Sequence, residues 1–215
     1  MNPFRFFNPF SKVQLLLHMD GANASTTFTD NSSVPKTITV NGSSQISTAQ
    51  SKFGGASGLF STNDKLTVSG AGLALGTGDY TIETWVYLTS LPNTQVGIIG
   101  ADDWWIGISG GNAFFTTVKT GLFSIVNGSA ASTNTWYHLA VTRASGTTKL
   151  FVNGVSVGSP GSNDTANQAA TTVYVGAYTP SDPGMVGYLD DVRITVGYAF
   201  YTTNFTPPTQ AFPNN

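Results

Sequence analysis

Gly187-Tyr188-Leu189-Asp190-Asp191-Val192-Arg193-Ile194 is an apolar run interrupted by two neighbouring carboxylates, and it leads into an aromatic tail, Gly197-Tyr198-Ala199-Phe200-Tyr201 and Asn204-Phe205-Thr206-Pro207-Pro208. Aromatic and β-branched residues fit a pleated, half-buried surface, so the run reads as a closing β-strand. Only 9% of the chain is charged, and two adjacent acids in such a strand need a reason. A bound cation is one. Strand alternation sends Asp190 and Asp191 to opposite faces, so the two need not serve a single ion.

The rest of the chain repeats the same kind of element. Val13–Met19, Thr37–Val40, Gln45–Thr48, Leu66–Val68, Val96–Gly100, Trp104–Ser109, Ala113–Val118, Phe123–Val126 and Thr172–Gly176 read as short strands separated by turn residues. Tyr80–Leu88 is the clearest central strand. In Trp136–Arg143, Tyr137, Leu139 and Val141 share one face, and Trp136, His138 and Ala140 the other. Asn153-Gly154 between Lys149–Val152 and Val155–Gly158 predicts a two-residue hairpin, whose turn needs positive φ at both positions. A glycine-rich bend lies at Phe53-Gly54-Gly55-Ala56. Many short strands without helical periodicity predict an all-β, two-sheet antiparallel jelly-roll sandwich over residues 13–215.

Residues 1–12 stand apart as a short arm in which Phe4, Phe6, Phe7 and Phe10 alternate with polar residues and prolines. It either packs back on its own domain or anchors the protein to a partner. A net charge of −2 with scattered basic residues gives no footprint for nucleic acid and no polybasic membrane site. With no cysteine, disulfides, zinc–thiolate sites and thiol nucleophiles are excluded. No secretion signal and no apolar span of membrane length is read, which predicts synthesis in a cytoplasm without membrane insertion. No heptads specify an oligomer, so a homo-oligomer would have to use the arm or an edge strand.

Several phrases in order carry a family resemblance. They are Leu17-His18-Met19-Asp20-Gly21, Ser51-Lys52-Phe53-Gly54-Gly55-Ala56-Ser57, Tyr80-Thr81-Ile82-Glu83-Thr84-Trp85, Thr135-Trp136-Tyr137-His138-Leu139-Ala140-Val141-Thr142-Arg143, Leu150-Phe151-Val152-Asn153-Gly154 and Gly187 to Ile194. Together they resemble the laminin-G-like domains of the concanavalin A-like lectin/glucanase superfamily. The tail Tyr201 to Pro208 resembles the variants found in bacteriophage structural proteins. The resemblance implies two antiparallel sheets packed face to face; function has to be argued from sites, because such folds host many activities.

Three constellations compete. The superfamily's retaining glucanases need two carboxylates about 5 Å apart. This chain has one glutamate, Glu83, with no acid two or four positions away. Glu83 is expected to be a buried carboxylate paired with Arg193 or Arg143. The resemblance also implies a calcium-binding aspartate at Asp190. Asp20, at the end of the first strand, is its expected companion, with carbonyls of the Gly54 bend completing one structural Ca2+ site; the competing reading has Asp20 capping a turn and Asp190 bonding backbone amides. For a ligand site, Trp104 is expected at a rim with Asp102, Asp103, Asn112 and Tyr178, because the family pattern places a core tryptophan near Trp105. The plainer reading has both tryptophans in the core or at an edge.

The reading that follows is a non-enzymatic bacteriophage virion surface protein, a capsid decoration or cement module holding host cell-surface glycans weakly, with other capsid or tail proteins as partners of the aromatic arm. The alternatives are a receptor-binding lectin of a tail fibre or baseplate, and a divergent glycan hydrolase.

Overall fold

The computed structural model describes residues 9–118, 123–162 and 164–214, with the backbone alone at 123–129. Among the described residues, fifteen strands follow a 3-10 turn at Pro9–Lys12. In chain order they are β1 (Val13–Leu17), β2 (Thr37–Asn41), β3 (Gln45–Ser47), β4 (Ser57–Phe60), β5 (Lys65–Ser69), β6 (Tyr80–Leu88), β7 (Val96–Ala101), β8 (Trp104–Ile108), β9 (Ala113–Val118), β10 (Phe123–Ala130), β11 (Trp136–Ala144), β12 (Thr147–Val152), β13 (Val155–Gly161), β14 (Thr172–Val175) and β15 (Gly187–Val196). They form an eight-stranded sheet ordered β13-β12-β11-β6-β15-β4-β3, with β1 also on β15, and a seven-stranded sheet ordered β10-β9-β8-β7-β14-β5-β2. All pairings are antiparallel. This is the expected jelly-roll sandwich.

The sheets meet over one apolar core. Alternation along β6 sends Tyr80, Ile82, Val86 and Leu88 into it, where they join Leu15 and Leu17 of β1, Leu189, Val192 and Ile194 of β15, and Trp104, Ile106 and Ile108 of β8. Thr81, Glu83, Trp85 and Tyr87 therefore face outward from the larger sheet. The predicted hairpin is realised, with φ +49° at Asn153 and +77° at Gly154, values that asparagine and glycine tolerate best. The first and last strands are neighbours, Leu16 opposite Arg193. Strand β4 goes unread in the sequence because Ser57-Gly58 lies against the glycine bend and looks like its continuation.

A C-terminal strap, residues 198–213, crosses the outer face of the larger sheet. The Thr142 hydroxyl donates to the Tyr201 carbonyl (2.8 Å), the Phe200 amide to the Thr81 hydroxyl (2.9 Å), and the Phe205 amide to the Gly154 carbonyl (2.9 Å). Tyr201 and Phe205 stack on each other at 3.6 Å, and Phe205 meets Phe151 and His138 edge-on. Phe10 docks beside the strap's end, against Val13, Leu16 and Phe212. Phe4, Phe6 and Phe7 lie outside the described residues. No helix among the described residues is long and apolar enough to cross a membrane.

Candidate functional site

Register turns the outward residues of β11, β6 and β15 into rows running across the strands. Trp136 stands opposite Tyr87, and Tyr87 opposite Tyr188. Their ring centroids are 5.4 Å and 5.8 Å apart, and all three are half-buried. The next row is His138, Trp85 and Asp190, and the one after it places Ala140 and Arg193 on either side of Glu83. The strap covers Glu83, packs on His138 and reaches the β12–β13 hairpin at Gly154. Trp136, Tyr87 and Tyr188 make a contiguous, half-buried aromatic strip. Aromatic rings offer an apolar face with a polar tip, and the two tyrosines add phenolic donors and acceptors at the rim. Each residue was visible in the sequence; the pairing of three strands distant in the chain was not.

Beneath the strap, Glu83 is fully buried and saturated. Its Oε1 accepts from Arg193 Nε (2.9 Å) and Nη2 (2.6 Å), its Oε2 accepts from the Tyr201 hydroxyl (2.9 Å), and His138 Nε2 lies 3.3 Å from Oε2. Burial alone would raise the Glu83 carboxyl's pKa, but the Arg193 charge and the His138 contact outweigh it and hold the carboxyl below its ordinary value. The partner is thus Arg193, one of the two arginines expected. The Arg193 guanidinium is also clasped between the Phe200 and Phe212 rings, 4.3 Å and 3.9 Å from their centroids.

The adjacent acids correct the alternation argument. On β15 three residues advance from Asp190 to Arg193 while β6 advances two, from Trp85 to Glu83. This is a β-bulge, with Asp191 at φ +45°. Both carboxylates consequently serve the outer side. Asp191 Oδ1 accepts from His18 Nδ1 (2.6 Å), and its Oδ2 from the Phe212 amide (2.7 Å); the first bond raises the His18 pKa. Asp190 Oδ2 accepts from the Lys52 and Phe53 amides (2.7 and 3.1 Å). Its Oδ1 is buried without a hydrogen-bond partner, and burial pushes the carboxyl up to about 7.

Asp20 comes to the same bend. Its carboxylate packs so closely on Gly54, at φ +63°, that a Cβ there would sit 2.0 Å from Oδ1. Asp20 also lines, with His18, Met19 and Asn31, a cleft of about 300 Å³. The structure therefore gathers Asp20, Asp190 and the glycine bend. Among the described residues no group of three or more acids, histidines or cysteines is placed to hold a metal ion.

The expected ligand rim does not assemble, and Trp104 is reversed. Trp104 is 2% exposed and belongs to the inter-sheet core. Trp105 takes the outer side of the smaller sheet and stacks on Tyr178 at 4.5 Å. The physical reason is parity: Trp104, Ile106 and Ile108 share one face, and Gly100, opposite Trp105, leaves room that a Cβ would fill at 2.3 Å from the Trp105 Cβ. Asp103 accepts from the Ala169 and Ala170 amides (2.6 and 3.1 Å). Asp102 is exposed in the β7–β8 turn, while Asn112, at φ +62°, shapes the turn at the other end of β8. Trp104 lies in the core while Tyr178 stacks on Trp105 on the outer side, so the five do not form one rim.

Residues 60–197 match the Laminin_G_3 family, described as the concanavalin A-like lectin/glucanases superfamily. The match covers more than half of the chain, and the protein belongs to that superfamily. A search of curated protein sequences finds no match. Among solved structures, domain 4 of AbnA, a GH43 extracellular arabinanase from Geobacillus stearothermophilus solved with arabinotriose, is similar with a TM-score of 0.65 and 21% identity, over 87% of this chain and 94% of that one. The ligand-binding domain of botulinum neurotoxin serotype D, solved with N-acetylneuraminic acid, has a TM-score of 0.65 and 16% identity, over 95% of this chain and 49% of that one. The serotype G binding domain has a TM-score of 0.64 and 15% identity, over 87% and 48%. The chain thus spans about half the length of the toxin domains it matches. At these identities the likeness shows the fold.

Proposed function

We propose that the protein is a non-enzymatic glycan-binding module displayed on a bacteriophage virion, with sugar rings stacking on the Trp136–Tyr87–Tyr188 row. The row is the observation that carries this reading: three half-buried aromatic rings in cross-strand register, with centroids 5.4 Å and 5.8 Å apart and ring planes inclined at 54° and 76°. The sugar ligands solved with two of the similar structures support it. A non-catalytic role is supported by the single glutamate, whose two oxygens are both engaged by Arg193 and Tyr201. The phage setting, as decoration of the particle, rests on the resemblance of the tail and on the phenylalanine-rich arm; absence of the protein from purified particles would remove it.

The test of glycan binding is an array probed with wild type and Trp136→Ala. Aromatic stacking on flat ligands is worth about 1–3 kcal/mol per ring, as measured for nucleic acid bases, so the variant should bind about tenfold or more weakly while still unfolding cooperatively in a thermal scan. Undiminished binding by the variant would sink the reading.

We further propose that Asp190 Oδ1 and Asp20 take part in holding one calcium ion, which wants six to eight oxygens and would draw the rest from carbonyls of the bend and from water. The partnerless buried oxygen is the supporting observation. Calcium added to chelator-treated protein should raise the melting temperature of wild type and leave Asp190→Asn unmoved. An equal response in both, or none in wild type, argues against the ion.

A further inference from the structure

Lys52 lies over Trp85, in the row next to Trp136–Tyr87–Tyr188. Its amide is fixed on Asp190 Oδ2 at 2.7 Å, and its ammonium lies over the Trp85 ring, 3.9 Å from the centroid. Trp85 precedes Tyr87 by two positions on the same face of β6, about 7 Å along the strand, so the cation lies over the residue next to the row's middle member. Among the described residues it forms no ion pair. Of the nearby acids, Asp190 is fully buried with one oxygen spent on the Lys52 and Phe53 amides, and Asp20 lies against Gly54, beyond the bend.

An exposed lysine ordinarily points into water. This one is half-buried and lies along an indole, in the geometry of a cation–π contact. Trp85 is itself hemmed in by Phe53 edge-on at 6.0 Å and by His138 at 5.1 Å. The ammonium is thereby held next to the platform instead of sweeping the solvent, and a positioned charge costs less ordering on binding than a mobile one. An aromatic strip with one fixed cation at its border is complementary to a sugar chain that carries an anionic group on the edge of a ring.

We infer that the site selects carboxylated glycans, with sugar rings on Trp136, Tyr87 and Tyr188 and a uronic or sialic-type carboxylate against Lys52. The inference rests on the glycan-binding reading and adds the charge class of the ligand. The carboxylate would accept hydrogen bonds from the ammonium, whose three donors reorient to suit it, and the surrounding low-dielectric rings would strengthen the contact relative to water.

The experiment uses linear oligosaccharides in matched pairs, each acidic chain beside its carboxyl-reduced neutral form, titrated into wild type, Lys52→Met, Lys52→Arg and Trp136→Ala. Methionine keeps an unbranched apolar stem over Trp85 and removes the charge. Wild type should prefer the acidic member of at least one pair by about tenfold, a difference that shrinks at high salt. Lys52→Met should erase the preference, Lys52→Arg should keep it, and Trp136→Ala should weaken both members. If wild type binds acidic and neutral members equally, or Lys52→Met retains the preference, the charge selection is overturned while the glycan reading stands. If no member of any pair binds, both fall together.

Discussion

Glu83→Gln should lower stability by about 3–5 kcal/mol, the usual cost of removing one partner from a buried ion pair. For a chain of this size each kcal/mol moves the melting temperature by about 2–4 °C, so the midpoint should drop by roughly 6–20 °C in a thermal scan. The cost arises from what stays behind. Arg193 keeps its charge between the Phe200 and Phe212 rings, and the Tyr201 hydroxyl loses its anionic acceptor. Because Tyr201 belongs to the strap, the variant should also lose hydrogen-exchange protection at the Phe200 and Phe205 amides. A double variant, Glu83→Leu with Arg193→Met, removes both charges at comparable volume and should recover a substantial part of the loss. A single variant that melts like wild type would show that the pair is not worth its desolvation.

The same carboxylate sets a pH dependence. Its folded-state pKa lies below the unfolded value, so its contribution is complete above the ordinary glutamate pKa and disappears as pH falls through the lower, folded value. Wild type should therefore lose its advantage over Glu83→Gln in acid, with the two curves converging below about pH 4. Convergence on raising the pH instead would contradict the assignment.

The sandwich was largely legible because its signals are local. Apolar alternation, the Asn153-Gly154 turn and the lone glutamate need no knowledge of distant pairings. The pairing of Glu83 with Arg193 was half legible: burial demanded a cation, and only register selects Arg193 over Arg143. The candidate site was mostly hidden, for three separate reasons. Trp136, Tyr87 and Tyr188 come from strands far apart in the chain, and their alignment exists only once β11, β6 and β15 are in register. Asp190 and Asp191 were split by a two-residue period that a single inserted residue cancels. Trp104 was placed at the rim by family analogy, although the parity of Ile106 and Ile108 already assigned it to the core.

Arg143, the arginine that Glu83 does not use, should prove as costly to remove. It is fully buried, and its fork is almost completely occupied. Nε donates to the Gly78 carbonyl (2.7 Å), Nη1 to the Ala166 carbonyl and Gln168 Oε1 (2.8 Å each), and Nη2 to the Gly76 carbonyl (2.6 Å). Asp164 lies 3.5 Å from Nη1, and the guanidinium faces the Tyr80 ring at 4.8 Å. These contacts join two loops that are also tied by the paired backbone bonds of Gly76 and Gln168. Arg143→Ala takes the counter-charge from buried Asp164 and the guanidinium donors from the Gly78 and Ala166 carbonyls at once, so a loss of about 3–5 kcal/mol is expected. Arg143→Lys retains the charge but not the planar fork; an ammonium with three donors cannot reach acceptors spread over both loops, and less than half of the stability should return. Exchange at the Gly76 and Gln168 amides separates this from a generic core defect. In the lysine variant those two amides should lose protection well before the β6 and β11 amides do. If lysine restores wild-type melting and full protection, charge alone holds the loops and the fork geometry is dispensable.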